Sequence, residues 1–230
     1  MTITRTHVRT SLRKYHIWLG WLIGVPMLFW TLSGVVMVWK PIDEVRGSDL
    51  LAPPAPIVLT APAVPPSLSG TVTSLSLEPR AAGPRWVVKG VSGSRLADPA
   101  TGKILPALTA SEAAREITAR YKGNATIGSV KPTDPAHAPL DLRRDLATWQ
   151  VTMSDGTHFY VDRQTGAIIA TRTKFWRFYD WMWGLHIMDL GGRENTHNPW
   201  IVGFGILTLV TTVLAIVLLP LTGKRRRRKG

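Results

Sequence analysis

The chain has no cysteine among its 230 residues, which excludes disulfides, thiolate metal sites and iron–sulfur ligation. Any redox centre must rest on histidine, methionine or carboxylate, and there are only six histidines. No Gly-x-Gly-x-x-Gly follows a strand pattern, so the nicotinamide and flavin fingerprint is missing. Acid is absent from both ends: Arg5, Arg9, Arg13 and Lys14 have no carboxylate near them, and neither does the run KRRRRK from Lys224 to Lys229. Phenylalanine and tyrosine are scarce, at five and four, whereas tryptophan reaches ten. Five of those tryptophans lie in two apolar runs and three more in the stretch that leads to the second, where amphipathic indoles favour a membrane interface.

Ile17 to Trp39 is uncharged over 23 residues and Trp200 to Leu221 over 22, each long enough to cross a bilayer with some tilt. The first resembles a signal peptide in its basic start, but its length and the lack of a small-x-small cleavage site favour a retained anchor. The two tails supply +10 of the net +13, while Lys40 to Asn198 holds 18 basic and 15 acidic residues. By the positive-inside rule both termini are expected in the cytoplasm and the middle is expected on the exported side of a bacterial inner membrane. A basic run abutting a spanning helix reads as an orientation signal and a phospholipid contact, so no nucleic-acid partner is expected. The chain thus divides into a basic tail (1–16), a first transmembrane helix (17–39), a proline-rich linker (40–70), an exported domain (71–173), an interfacial helix (174–190), a second transmembrane helix (199–221) and a second basic tail (222–230).

The prolines between Pro53 and Pro66 forbid regular structure there and favour an extended stalk or a strap over the domain. Beyond them Arg85 to Val91 and Thr148 to Met153 read as strands entering hairpins. Both hairpins share D-x-x-T-G-x-I, at Asp98, Thr101, Gly102 and Ile104 and again at Asp162, Thr165, Gly166 and Ile168. This is turn chemistry, in which Asp bonds its own backbone and Gly supplies a positive φ. Between the hairpins a helix opens at Thr109 to Glu112, with Thr109 or Ser111 as its cap, and runs to about Tyr121. The expected fold class is therefore integral membrane α plus periplasmic α+β.

The helix SEAAREITARY followed by strands closing on FYVDRQTGAI resembles a PepSY domain, and the flanking helices resemble the PepSY-associated transmembrane family. That resemblance covers most of the chain apart from the linker and tails. It implies two transmembrane helices flanking a PepSY-like domain, with an interfacial helix before the second span. Its siderophore-iron reductase members are membrane cytochromes whose histidines hold b-type haem.

His16 enters the first apolar run in YHIWLGWLIG, with Gly20 and Gly24 one and two turns on along the same face. This face is a groove for a flat macrocycle or a G-x-x-x-G packing stripe. The resemblance to the family's H-x-W-x-G entry favours His16 as an iron ligand. It also implies D-W-x-x-G-L-H, here Asp180, Trp181, Gly184, Leu185 and His186, as a haem motif. His197 is the third candidate ligand, because Gly191-Gly192 and Asn198-Pro199 break any straight helix and let the chain fold back toward His186. Trp18, Trp21 and Trp183 are candidate haem-packing residues.

His16 lies one bilayer from the other two histidines and cannot share their iron, so its expected partner is His16 of a second copy, in a homodimer built on Gly20 and Gly24, or a histidine on another chain. His7, in a tail expected to be loose, and His137 and His158, expected to face solvent, are weaker candidates. Asp180, Asp189, Arg193 and Glu194 either receive a ferric substrate or solvate the headgroup layer. The resemblance implies a haem-b protein passing electrons from quinol or a redox partner to a periplasmic ferric siderophore. The alternative is a non-redox PepSY module anchored to bind or regulate a partner protein.

Overall fold

The computed structural model describes residues 2–68 and 70–222, so the basic run Lys224 to Lys229 lies outside the described residues. The chain forms two compact units, one from the first helix with the segment from Tyr179 onward and one from Pro41–Phe178.

In the first unit, α1 (Thr2–Trp39) is a single helix of 38 residues, about 57 Å long at the helical rise of about 1.5 Å per residue. Its stretch Thr10–Trp39 is long and apolar enough to span a membrane. The basic N-terminal segment is helical from Thr2 rather than loose. Leu12, Arg13 and Lys14 are good helix formers, and lengthening an existing helix needs no new nucleus. The second span is α5 (Pro199–Thr222), which packs against α1. Its start is chemically defined. The Asn198 carboxamide oxygen accepts the backbone N–H groups of Trp200 and Ile201, each at 3.1 Å, and Pro199 occupies the first helical position, where no N–H is needed.

The second unit opens with a one-turn helix, α2 (Ile42–Val45), and then the proline-rich segment. That segment is a strap tied at both ends. The Ala52 N–H donates to the Arg120 carbonyl at 2.7 Å, and the Val64 N–H donates to Pro99 at 2.7 Å. The Trp86 indole N–H closes on the Val64 carbonyl at 2.8 Å. Gly102, at φ +69°, is required here, since a Cβ would stand 2.8 Å from the Pro65 carbonyl.

A three-stranded antiparallel sheet follows, made of β1 (Val72–Glu78), β2 (Arg85–Gly90) and β3 (Gly93–Ala97) in that order. After α3 (Ala110–Thr118) comes a four-stranded antiparallel sheet of β4 (Ile127–Pro132), β5 (Thr148–Met153), β6 (His158–Asp162) and β7 (Ile168–Arg172), again in chain order. The expected hairpin–helix–hairpin layer is present, with an extra edge strand ahead of each hairpin.

α3 starts with a full capping box, in which Thr109 and Glu112 each satisfy the other's backbone N–H. Its buried Ala113 and Ile117 meet Val87 and Leu96 of the first sheet and Val151, Phe159 and Val161 of the second in one core. Both D-x-x-T-G turns are built as expected. Asp98 accepts the Ala100 N–H at 2.8 Å, Asp162 accepts those of Gln164 and Thr165 at 2.7 Å, and Gly102 and Gly166 have φ near +69° and +67°.

Candidate functional site

The stretch from Asp180 to Asn198 belongs to the first unit and is far more closely tied than a headgroup-facing loop. Its first part is the C-terminal half of α4 (Lys174–His186). Past His186 the chain closes a Schellman turn, with the Asp189 N–H bonding Gly184 O at 2.9 Å and the Met188 N–H bonding Leu185 O at 3.2 Å. Met188 takes the left-handed position at φ +56°. The helix therefore ends at His186, with its closing turn on Met188, ahead of the glycine pair expected to break it.

The returning loop is pinned by three residues of the D-W-x-x-G-L-H motif or its interior. Asp180, 5% exposed, pairs with the Arg193 guanidinium at 2.9 Å. The Trp183 indole N–H donates to the Arg193 carbonyl at 3.0 Å. Gly184 is where the loop crosses the helix: a Cβ there would lie 2.8 Å from Arg193 Cγ and 2.9 Å from the Asp189 carbonyl. Asp189 then organises the loop tip by accepting the backbone N–H groups of Gly192, Glu194 and Asn195 at 3.2, 3.1 and 3.1 Å. The Asn195 and Glu194 N–H groups, the largest influences, hold its carboxyl below the usual carboxylate range. Finally the buried Asn198 amide donates to Ile187 O and Asn195 O, both at 2.8 Å. The fold-back anticipated from the sequence is present, but its anchors are Asp180, Asp189 and Asn198.

This scaffold fixes His186 against α1. Its Nδ1 stands 3.1 Å from the Trp30 carbonyl and 3.1 Å from the Ser33 hydroxyl oxygen. Ser33 spends its own proton on the same carbonyl, at 2.8 Å. Facing a carbonyl that can only accept, Nδ1 must carry the ring proton, which leaves the lone pair on Nε2. The imidazole also stacks on the Trp30 indole, with centroids 4.6 Å apart and planes 20° apart. Gly34 makes room for it, since a Cβ there would approach His186 Cε1 to 3.2 Å. A ring with its tautomer set by a backbone carbonyl and a free Nε2 has the build of an axial imidazole. His186 therefore fits the requirement for a haem ligand. Trp30, Ser33 and Gly34 were not foreseen, although a Ser-Gly pair inside an apolar span is the kind of signal that marks a packed contact.

The other candidates are placed differently. His16 lies 17 residues before Ser33 on the same helix, about 25 Å away at about 1.5 Å per residue. It thus belongs to the opposite end of the span from His186. The His16 ring is half-buried and its Nδ1 has no hydrogen-bond partner. A Cβ added at Gly20 or Gly24 would meet nothing within 4 Å, so this face is open. Trp18, two residues on, points nearly opposite to His16 on a helix of 3.6 residues per turn. His197 is exposed, its Nδ1 lying 3.1 Å from the Thr196 hydroxyl. Trp183 is engaged by the loop.

Between α1 and α5 runs an apolar groove of about 650 Å³ lined by Leu22, Ile23 and Pro26, by Met188, and by Trp200 and Phe204 among α5 residues. That volume is within the range of small-molecule and cofactor sites. Phe204 lies 6.3 Å from Trp30, so the ring stacked on His186 reaches the groove wall. Among the described residues no three His, Asp or Glu side chains gather as a metal site. The sequence profile described as the PepSY-associated TM region matches residues 13–230. The chain belongs to the PepSY-associated transmembrane family. Comparison with curated proteins and with solved structures found no match. In this member of the PepSY-associated family, Asp180 and Gly184 have structural work, holding the loop that follows His186 against the helix that carries it.

The second unit has two polar features of its own. A pocket of about 140 Å³ between the first sheet and α3 is bordered by Arg80, Arg85, Arg115, Glu112 and Glu116. Glu116 is 8% exposed and accepts the Ala81 N–H on both oxygens, at 3.0 and 3.1 Å; burial pushes its carboxyl above the usual range. On the second sheet, Asp141 accepts the Tyr160 hydroxyl at 2.6 Å and lies 3.1 Å from His158 Nδ1. Burial, then the Asp141 hydrogen bond, pushes the Tyr160 phenol up. His158 is thus tied to Asp141, whereas His137 is solvent-facing and pairs with Asp134.

Proposed function

We propose that this membrane PepSY-family protein carries electrons through haem b to ferric iron, held as a siderophore complex on the exported face of a bacterial inner membrane with both termini cytoplasmic. The observation that supports this reading is the His186 ring, stacked on Trp30 of the first span, with Nδ1 held at the Trp30 carbonyl and no hydrogen bond to Nε2 among the described residues. A b-type haem bound there would supply a one-electron carrier. His186 provides the ligand nitrogen, and Trp30 and Ser33 hold its proton and its plane. His16, with its orphaned nitrogen and the open Gly20–Gly24 face, is proposed to ligate at the cytoplasmic end. A homodimer that pairs two copies of this face supplies the second imidazole there. His197 is proposed as the partner of His186, after its ring turns from Thr196. Quinol or a redox partner serves as donor.

A specific test uses the detergent-solubilised protein reduced with dithionite and freed of excess reductant. Adding a ferric siderophore is expected to return the reduced haem bands to the oxidised form, one electron per iron reduced. Reduced bands that persist in the presence of the ferric complex contradict reduction as the function.

A second reading, a non-redox module that binds a partner protein, is favoured by the charged pocket between β2, β3 and α3. Colourless protein from haem-sufficient cells, together with partner binding lost on substituting Arg85 and Arg115, distinguishes it.

A further inference from the structure

Thr10, Arg13, Lys14, Ile17, Trp18 and Trp21 border a shallow groove of about 360 Å³ along one face of α1. Their spacings of three and four residues align them as a single stripe. Arg13 and Lys14 are the last charges before the apolar run, and neither has a hydrogen bond or ion pair with another described residue. Trp18 and Trp21 are 67% and 79% exposed, so none of the described residues covers the apolar half of the stripe. The groove itself is almost wholly apolar, and the long aliphatic stems of Arg13 and Lys14 suit such a lining.

Two unpaired cations at the end of a spanning segment call for an anion. Two exposed indoles one and two turns deeper call for an amphipathic environment. The step from Lys14 to Trp21 is seven residues, about 10 Å at about 1.5 Å per residue, which is the drop from a phosphate to the upper acyl chain. We infer that this stripe binds an anionic phospholipid, its phosphate between the Arg13 guanidinium and the Lys14 ammonium and its chain along Ile17, Trp18 and Trp21. A guanidinium matches two phosphate oxygens at once, and the neighbouring ammonium adds a second charge. A zwitterionic lipid fits less well because its own cation competes for the phosphate. The inference does not depend on haem, since none of these groups is a candidate iron ligand.

The test is lipid retention. Full-length protein is extracted from bilayers of equal parts phosphatidylglycerol and phosphatidylcholine, and retained lipid is identified by native mass spectrometry. The wild type is expected to retain phosphatidylglycerol preferentially, by roughly fivefold for each basic residue engaged. The Arg13→Gln/Lys14→Gln double variant should return to the mixture ratio, and Arg13→Lys should keep most of the preference. Both sites are exposed, so the fold tolerates the changes. The inference is overturned by wild-type retention in the mixture ratio, by unchanged preference in the double variant, or by a preference that vanishes only when Lys224 to Lys229 are neutralised.

Discussion

Substituting His186 with alanine is expected to lower occupancy of the exported-side haem by more than about tenfold, so that only haem held at His16 remains in the purified protein. Even changes one shell out from a metal cost about 10–100-fold in affinity, and this change removes the proposed ligand itself. The rest of the site should survive, because Ser33 keeps its bond to Trp30 and the loop keeps Asp180–Arg193, Asp189 and Asn198. The cavity left beside Gly34 and Trp30 has the shape of an imidazole, so free imidazole should restore part of the haem signal. Full haem content in His186→Ala, measured as pyridine haemochrome per chain, would remove His186 from the account.

Asp180→Ala should have the largest effect on stability. Asp180 is nearly buried, and its loss leaves Arg193, whose side chain is 20% exposed, without its carboxylate beneath the loop. Breaking a buried pair from one side costs about 3–5 kcal/mol, and partial exposure of Arg193 puts the expectation at the lower end. The loop that this pair closes also holds the Trp183 indole and positions the turn after His186. The variant should therefore melt at lower temperature in detergent and lose haem as the loop loosens. Asp180→Asn, which retains an acceptor, should fall between. A melting temperature equal to wild type in Asp180→Ala would mean that Asp189 and Asn198 suffice to hold the fold-back.

The two spans were legible because nothing in 22 or 23 residues interrupts their apolar character. The hairpins were legible through the turn chemistry of Asp98–Gly102 and Asp162–Gly166. The strands that escaped, β1 and β4, are both sheet edges. β1 carries Thr73, Ser74 and Ser76, and β4 carries Gly128 and ends on Pro132, residues that weaken a strand signal but that an edge accommodates. The position of the break after His186 was not legible. It falls on Met188, and a non-glycine residue in the left-handed region is chosen by the Schellman bonds around it rather than by its own preference. His186 was marked by its resemblance to a family motif, but the reason for that motif emerged only from contacts across long sequence separations. Asp180 meets Arg193, Gly184 gives way to the loop, and the imidazole finds Trp30 and Ser33 more than 150 residues earlier in the chain.

The central claim is that the His186 Nε2, freed by the Trp30 carbonyl, holds a haem. The most direct test is the absorption spectrum of the full-length protein purified from haem-sufficient cells, with haem counted per chain. The account predicts red protein with a b-type pyridine haemochrome, and reduced-state bands that weaken in His186→Ala. A colourless protein from the same cells contradicts it and leaves a membrane-anchored PepSY module without a redox centre.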